Sequence, residues 1–246
     1  MSRLLDTHCH IDAYNDPRQT LADAASAGVD VVAVTESPEG YRRLRTRLGS
    51  RPGVTVALGL HPASAAAAAP GQLDRFFRML PGANWIGEVG LNFAPGMGRS
   101  ERSRQISLFQ AVLEHDLTNG RPMTVHSRGA AKDTVALLAT SHRRAVLHWY
   151  SGPLAVADEA VAAGLWFSVN PTMARSQKGL ALLPRLPRSR VLCETDGPYC
   201  KVGNRPAVPA DVDIVVEALA RTWGATPDDV RFQLARNASA LVAGPA

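Results

Sequence analysis

Histidines and carboxylates recur in this chain where short apolar runs end. His8 and His10 stand in "DTHCHID" after the first run, and Glu88 stands in "IGEVG" at the end of the fourth. The others that follow such a run are His61, His126, His148 and Asp196. Each residue alone is compatible with a hydrogen-bonded structural role. Burying them together is costly without a cation, and four histidines out of these five, with the two acids, are the donor set that a pair of divalent ions requires.

The spacing of the first pair favours a shared ligand. His8 and His10 are two residues apart on a predicted strand, so both imidazoles face the same side and can reach one ion. Cys9 faces the opposite way, and we expect it to pack in the core. Asp6 shares the parity of the histidines and is expected to orient an imidazole from behind, whereas Asp12 is expected in the loop after the strand.

The elements that must position these side chains alternate along the chain. Eight short apolar runs are typical of buried parallel strands, at 3–8, 29–35, 54–60, 83–89, 122–127, 145–149, 164–169 and 190–195. Stretches with helical spacing lie at 17–27, 38–48, 72–80, 100–118, 129–141, 153–163, 176–186, 209–222 and 227–242. The alternation predicts an α/β fold, a (β/α)8 TIM barrel whose strand ends converge on one face. An open doubly wound sheet is the alternative.

The composition is that of a globular chain. Its 246 residues are 46% hydrophobic and 20% charged, which excludes the disordered and fibrous classes. No apolar run approaches the roughly 18 residues of a membrane span, and no secretory leader is evident, so we expect a cytoplasmic location without membrane contact. The three cysteines form no CxxC pair, so no disulfide framework is expected. We expect one domain over residues 1–246, with 62–71 as a short helix or flexible loop.

Six motifs between residue 4 and about residue 205 carry a family resemblance. In order, they read "DTHCHID", "GLHP", "GEVGL", "VHSR", "LHWYSG" and "LCETDGPY". They resemble the motifs of the TatD-type metal-dependent deoxyribonucleases of the amidohydrolase superfamily. The stretches "WFSVNPTMARSQKG" and "CETDGPYCKVGNRPAVPADV" are similar to the TatD-like branch of bacterial Qat anti-phage defence systems. The resemblance implies two divalent ions, of zinc, magnesium or manganese, with one ion on His8, His10 and Asp196, the other on His126 and His148, and Glu88 between them.

The resemblance also implies an activity, the exonuclease-like hydrolysis of DNA phosphodiester bonds by a water that two metal ions activate. Glu88 and Asp196 are then the catalytic residues, with Asp196 accepting the proton of the water. Substrate contacts are expected from His61 and Arg128. The structural alternatives are a capping hydrogen bond for His61 and, for Arg128, an ion pair with Glu194. The net charge of +5 suits a polyanionic partner, here single strands or ends of DNA, and defence-system proteins are further expected partners.

Other residues around the motifs favour or oppose this interpretation. Where family members commonly read "GEIGLD", this chain has Asn92, which keeps a carbonyl acceptor but loses the charge. Loop cations are expected to line a groove for the nucleic-acid backbone, and aromatic side chains are expected to stack on a base: Lys178, Lys201 and Arg205, then Trp149, Tyr150 and Tyr199. Two alternatives remain. One is a hydrolase of small esters, lactones or amides, many of which have a lysine in place of Glu88, and the other is a non-catalytic, metal-stabilised subunit of a defence complex.

Overall fold

A sheet of eight parallel strands forms the body of the computed structural model, which describes residues 3–67 and 71–244. The strands are β1 (Leu4–Cys9), β2 (Val29–Ala33), β3 (Val54–Val56), β4 (Ile86–Gly90), β5 (Met123–His126), β6 (Ala145–Leu147), β7 (Trp166–Val169) and β8 (Val191–Cys193). Their order is β3-β2-β1-β8-β7-β6-β5-β4, and a parallel bridge between Leu58 and Ile86 joins the two ends. The sheet therefore closes, which confirms the predicted (β/α)8 barrel. The open doubly wound alternative is wrong.

Helices connect the strands, and each of the nine predicted helical stretches overlaps one. The helices are α1 (Pro17–Ser26), α2 (Pro38–Leu48), α3 (Pro62–Ala67), α4 (Gln72–Met79), α5 (Arg99–Glu114), α6 (Ala131–Ser141), α7 (Leu154–Ala162), α8 (Gln177–Leu182), α9 (Val212–Trp223) and α10 (Pro227–Ala243). Helix α3 falls in the stretch 62–71, of which residues 68–70 lie outside the described residues. A hairpin that the sequence did not predict follows β8, with β9 (Lys201–Val202) and β10 (Arg205–Pro206).

Local sequence explains where several helices begin. The Asp16 carboxylate accepts the N–H groups of Arg18 and Gln19 at the start of α1, and the Ser37 hydroxyl accepts the N–H of Gly40 at the start of α2. A proline follows each of these capping residues, where its missing N–H is not needed. Such defined starts fix the strand-to-helix loops, which form the carboxyl end of the barrel.

Burial explains why the strands read as continuous apolar runs. All five residues of β4 and all four of β7 are buried, as both faces of a barrel strand are covered. The three cysteines are free and buried, as the sequence predicts. Among the described residues, none of the helices combines the length and apolar character needed to cross a membrane.

The closure of the barrel between β3 and β4 depends on a close backbone approach at Gly59. The N–H of Leu60 donates to the Glu88 carbonyl at 2.9 Å, and the N–H of Glu88 donates to the Thr35 carbonyl at 2.9 Å. A Cβ atom on Gly59 would lie 1.5 Å from the Thr35 carbonyl oxygen. The missing side chain therefore lets the end of β2 reach β4, and this contact holds the backbone of Glu88.

Candidate metal centre

A cavity of about 490 Å³ opens at the carboxyl ends of the strands. Seven of the eight predicted site residues line it: His10, His61, Glu88, His126, Arg128, His148 and Asp196. The eighth, His8, is fully buried, with its Nε2 atom 3.3 Å from the Nε2 atom of His10. The fold therefore brings all eight residues together, as the convergence of barrel strands predicts.

Glu88, on β4, divides its two carboxylate oxygens between two sets of histidines. Its Oε2 atom lies 3.7 Å from His8 Nε2 and 3.6 Å from His10 Nε2. Its Oε1 atom lies 2.6 Å from His126 Nδ1 and 2.8 Å from His148 Nε2. A carboxylate placed in this way can serve two cations at once.

The inner group, defined as His8, His10 and Asp196, lies on the Oε2 side of Glu88. Asp196 Oδ1 is 3.3 Å from His10 Nε2 and 3.5 Å from His8 Nε2, yet it makes no hydrogen bond. The two histidines come from β1 and the residue after it, and Asp196 follows β8, which is the neighbour of β1 in the sheet. Adjacent strands thus bring three donor atoms to one point.

The outer group, defined as His61, His126 and His148, lies on the Oε1 side of Glu88. His61 Nε2 is 3.7 Å from Glu88 Oε1, and His126 Nδ1 is 3.2 Å from His148 Nε2. The side chains of His61 and His126 are each 17% exposed, so this group faces the cavity. His61 therefore lies beside Glu88, and no capping hydrogen bond of its ring is found among the described residues.

Two polar side chains orient the imidazoles from behind. His8 Nδ1 lies 2.7 Å from the Thr124 hydroxyl, and His126 Nε2 lies 3.1 Å from Asn92 Oδ1. In each pair, the ring nitrogen that faces the neighbour can carry the proton, which leaves the other nitrogen free to bind an ion. Sequence reasoning missed Thr124, although its place two residues before His126 on β5 puts both side chains on the same face of the strand.

A buried carboxylate supports the loop behind His148. Glu194 accepts hydrogen bonds from the Trp149 N–H, the Ser168 hydroxyl and the Asn170 amide, and its Oε1 atom is 3.9 Å from His148 Nδ1. Trp149 has a φ of 37°, an uncommon backbone conformation for a non-glycine residue. The hydrogen bond to Glu194 holds this conformation, so the Trp149 ring keeps a defined place at the cavity.

The electrostatics of the site keep the central carboxylate charged. Burial raises the pKa of Glu88, but attraction to His148 and hydrogen bonds from His126 and His148 hold that pKa well below its usual value. Burial lowers the pKa of His8 to about 4 and that of His61 to about 4. Both imidazoles are therefore neutral near pH 7, which is the protonation state that a metal ligand requires.

The donor set fits divalent cations. His8, His10 and Glu88 offer three ligand atoms within 4.8 Å of one another, and so do His61, Glu88 and His126. Asp196 Oδ1 and His148 Nδ1 are buried without a hydrogen-bond partner, and a nearby cation would compensate the uncompensated carboxylate oxygen. A third set, His8, His148 and Glu194, also lies within this distance, but three hydrogen bonds already occupy Glu194.

The cations expected to contact substrate separate into two kinds. Arg128 is exposed on the cavity wall, and its guanidinium forms no ion pair with Glu194 or with any other acid among the described residues. Arg205 instead pairs with both oxygens of Asp211, at 2.7 and 2.6 Å, and Lys178 donates to the Ser151 carbonyl. Neither of these two, nor Lys201, lines the cavity, so the predicted groove of loop cations is not formed at the cavity wall.

Asp6, Cys9 and Asp12 flank the two histidines of the first strand. Asp6 does not touch an imidazole, because its carboxylate accepts the N–H groups of His8 and Thr195 and the Thr195 hydroxyl, which ties β1 to the residues after β8. The expectation that it orients a histidine is therefore wrong. Cys9 is a buried core residue, and Asp12 is exposed in a turn after the strand, both as predicted.

The chain is similar over nearly its whole length to several known proteins. The family model described as TatD related DNase matches residues 5–243. Deoxyribonuclease TATDN3 of Homo sapiens is 31% identical over an alignment of 266 positions, which covers 97% of this chain and 94% of that protein. A Mycobacterium tuberculosis protein described as an uncharacterized metal-dependent hydrolase, TatD, is 29% identical over an alignment of 257 positions, which covers 96% of each chain. The crystal structure of YJJV, a TatD homolog from Escherichia coli, superposes with a TM-score of 0.87 at 26% identity over 99% of both chains.

Proposed function

The chain belongs to the family of TatD-related DNases, and from this premise we propose that it cleaves phosphodiester bonds of DNA at the centre around Glu88. It is a metal-dependent hydrolase. The single observation that carries the proposal is the Glu88 carboxylate, whose two oxygens face two separate sets of imidazoles. Two divalent ions in such a site polarise the phosphodiester, activate a water and stabilise charge on the attacking and leaving oxygens.

The proposed metal ligands are the three residues of the inner group, two histidines of the outer group and Glu88. We propose that His8, His10 and Asp196 hold one ion, that His126 and His148 hold the other, and that Glu88 bridges them. The distances within each group and the neutral state of His8 support this assignment. Histidine and carboxylate donors suit zinc, manganese and magnesium to different degrees, so the metal must be measured.

Asp196 is the residue that we assign to proton transfer. Burial raises the pKa of Asp196, but the neighbouring imidazoles of His10 and His8 lower it more, so the carboxylate is ionised near pH 7. The Asp196 side chain lines the cavity, and its Oδ1 atom, buried beside His8 and His10, is the oxygen placed to hold an ion. In the proposed reaction, the other carboxylate oxygen of Asp196 accepts the proton of the attacking water, and Glu88 keeps its charge throughout.

Substrate contact is assigned to Arg128 and His61 on the cavity wall. The Arg128 guanidinium can donate two parallel hydrogen bonds to phosphate oxygens, a geometry in which arginine exceeds lysine. The His61 ring is neutral near pH 7 and offers a hydrogen bond to a phosphate oxygen without adding charge. Together they hold the phosphate beside Glu88, while the side of the cavity open to solvent admits the nucleic acid.

The partners and the location of the protein follow from the same proposal. DNA, as single strands or ends, is the proposed substrate, and the net charge of +5 favours its association with a polyanion. Three free cysteines support a reducing compartment, so we propose the cytoplasm. Partner proteins of an anti-phage defence system stay a prediction from the sequence resemblance.

The test combines metal analysis with a nuclease assay. Purified protein loaded with Zn²⁺, Mn²⁺ or Mg²⁺ is given end-labelled single- and double-stranded DNA, beside a panel of small esters and lactones. We expect DNA cleavage that shortens strands from an end, and a loss of about 10²- to 10⁴-fold in kcat for Asp196→Asn. Glu36→Gln is the matched control, because Glu36 is an exposed acid on the same cavity wall. Equal activity of the parent and Asp196→Asn, or faster turnover of an ester than of DNA, would overturn the proposal.

A further inference from the structure

An exposed tyrosine stands at the cavity without a role in the chemistry proposed above. Tyr199 lines the cavity and is 56% exposed, and its ring and the His10 ring form a T-shaped pair with a centroid distance of 4.7 Å and an angle of 66°. Phe232 is the other aromatic residue among the described residues with more than half of its surface exposed, and Arg236 lies over its ring. Tyr199 thus offers a free aromatic face beside the proposed inner group.

Backbone hydrogen bonds hold the chain next to Tyr199, and the ring itself packs against His10. The N–H of Cys200 donates to the Asp196 carbonyl at 3.0 Å, and the N–H of Ala207 donates to the Cys200 carbonyl at 2.8 Å. Tyr14 donates to the Ala207 carbonyl from the opposite side. A ring that is fixed in advance loses little conformational entropy when a flat group packs on it.

The polar surroundings of the Tyr199 ring suit a nucleotide better than an apolar ligand. Arg128, an unpaired cation, and Ser151 line the same cavity, and Trp149 adds a second aromatic surface whose backbone is fixed by Glu194. A nucleotide presents one flat base and one phosphate, so it can satisfy an aromatic face and a guanidinium together. We propose that Tyr199 forms a stacking subsite for an unpaired nucleobase next to the phosphodiester that is cut, an inference that rests on the proposed function and names its substrate more narrowly.

The subsite selects between single strands and duplexes. A base inside a duplex already stacks on both neighbours, and it must be unstacked at a cost of a few kcal/mol before it offers a face to a protein. An unpaired end avoids this cost, whereas stacking on an aromatic side chain gains about 1–3 kcal/mol per base. Tyr199 therefore makes the site specific for frayed ends and single strands, whatever the base.

A binding experiment tests the subsite without turnover. The Asp196→Asn protein is mixed with a short single strand that carries 2-aminopurine at one end and a remote dye for anisotropy, and each end is tested in turn. Stacking quenches 2-aminopurine, so we expect quenching with Asp196→Asn and with a further Tyr199→Phe change, but not with Tyr199→Ala at the same bound fraction. Phe232→Ala is the matched control, because it removes an equally exposed aromatic ring on α10, outside the cavity wall. Quenching that persists in Tyr199→Ala would overturn the inference.

A kinetic experiment gives the second readout. The Tyr199→Ala and parent proteins, checked for equal metal content, are compared on single strands with an ordinary or an abasic terminal nucleotide. We expect Tyr199→Ala to lower kcat/KM about 10-fold on the ordinary strand, equivalent to about 1.4 kcal/mol, and to leave the abasic strand unchanged. An equal loss on both strands would mean that Tyr199 acts through His10, and no loss would mean that no base binds there. Both outcomes overturn the subsite while the nuclease activity stands.

If the parent cleaves neither strand, the proposed function fails. In that case, quenching by Tyr199 in the binding experiment still decides whether a base-stacking subsite exists.

Discussion

The inner and outer groups share Glu88 but differ in their contact with solvent. In the inner group, the side chains of His8, His10 and Asp196 are 0%, 5% and 6% exposed. In the outer group, His148 is 5% exposed, but His61 and His126 are each 17% exposed. The inner group is therefore the more deeply buried of the two, although His10 and Asp196 also line the cavity. We expect an ion in the inner group to be held more tightly than an ion in the outer group.

The two groups also differ in what supports their histidines. The hydroxyl of Thr124 faces His8 within the barrel, and the amide of Asn92 faces His126. Asn92 is itself held by Gln105, which accepts its N–H and donates to its carbonyl. Both supports are neutral, so neither strengthens its imidazole as a carboxylate would. We therefore expect the inner and outer groups to respond separately to mutation.

The largest expected effect follows from changing the shared residue. Glu88→Gln removes the charge that both groups share, so we expect the protein to lose ions from both and its activity to fall by more than the roughly 10- to 100-fold typical of a residue behind a ligand. Metal content after dialysis and initial cleavage rates measure this. If one full equivalent of metal remained tightly bound, Glu88 would not bridge the two groups.

A smaller loss of metal is expected when each group is changed by itself. Asp196→Asn should empty the inner group alone and His148→Asn the outer group alone, so that each variant keeps one ion, because the remaining ligands of the other group are intact. Metal analysis with increasing chelator separates the two, and the ion of His148→Asn should resist chelation longer. Coincident loss of both ions in either variant would make the centre a single unit.

A moderate loss of metal affinity is expected from a change at Thr124, which lies behind His8. Thr124→Val keeps the shape of the side chain but removes the acceptor of the His8 Nδ1 proton, so the inner ion should bind about 10- to 100-fold more weakly. Competition with a fluorescent chelator measures the affinity. Thr124→Ser keeps the hydroxyl and serves as the control, and equal affinities for the valine and serine variants would assign Thr124 to packing alone.

The smallest change in metal affinity is expected from substitution of Asn92, which lies behind His126. Unlike the changes above, Asn92→Asp should increase the affinity. Asn92→Asp places a carboxylate next to the His126 Nε2 proton, which should raise the basicity of Nδ1 and tighten the outer ion by up to about 10-fold. Asn92→Leu should weaken the same ion. Titration of the second metal equivalent measures both, and tighter binding of the inner ion instead would reverse the assignment of the groups.

The sequence predicted the barrel and the meeting of the site residues because both depend on local patterns. Apolar runs of strand length mark the strands, and a histidine or acid after a run must reach the carboxyl end once the strands are parallel. The starts of two helices were also predicted, because the helical spacing begins at residues 17 and 38, directly after the capping residues Asp16 and Ser37.

Contacts between distant strands could not be predicted in the same way. Thr124 meets His8 across 116 positions, and the pairing depends on the order β1-β8-β7-β6-β5 and on the depth of each strand in the barrel. Asp6 was expected to face an imidazole, but the sheet register places the Thr195 N–H and hydroxyl closer. The alternation of side chains along a strand shows which face of the sheet each one occupies. It does not show how deep in the barrel a side chain lies or which side chain of another strand it meets.

Position 59 has a consequence for how the protein tolerates mutation. Gly59 contributes no side chain to the cavity, yet even the single methyl group of alanine would push the Thr35 carbonyl away from the backbone N–H of Glu88. A survey of substitutions would therefore find a functional hot position at a residue that touches no ion and no substrate. Its cause is the space that the residue leaves empty, and inspection of the ligands alone would not reveal it.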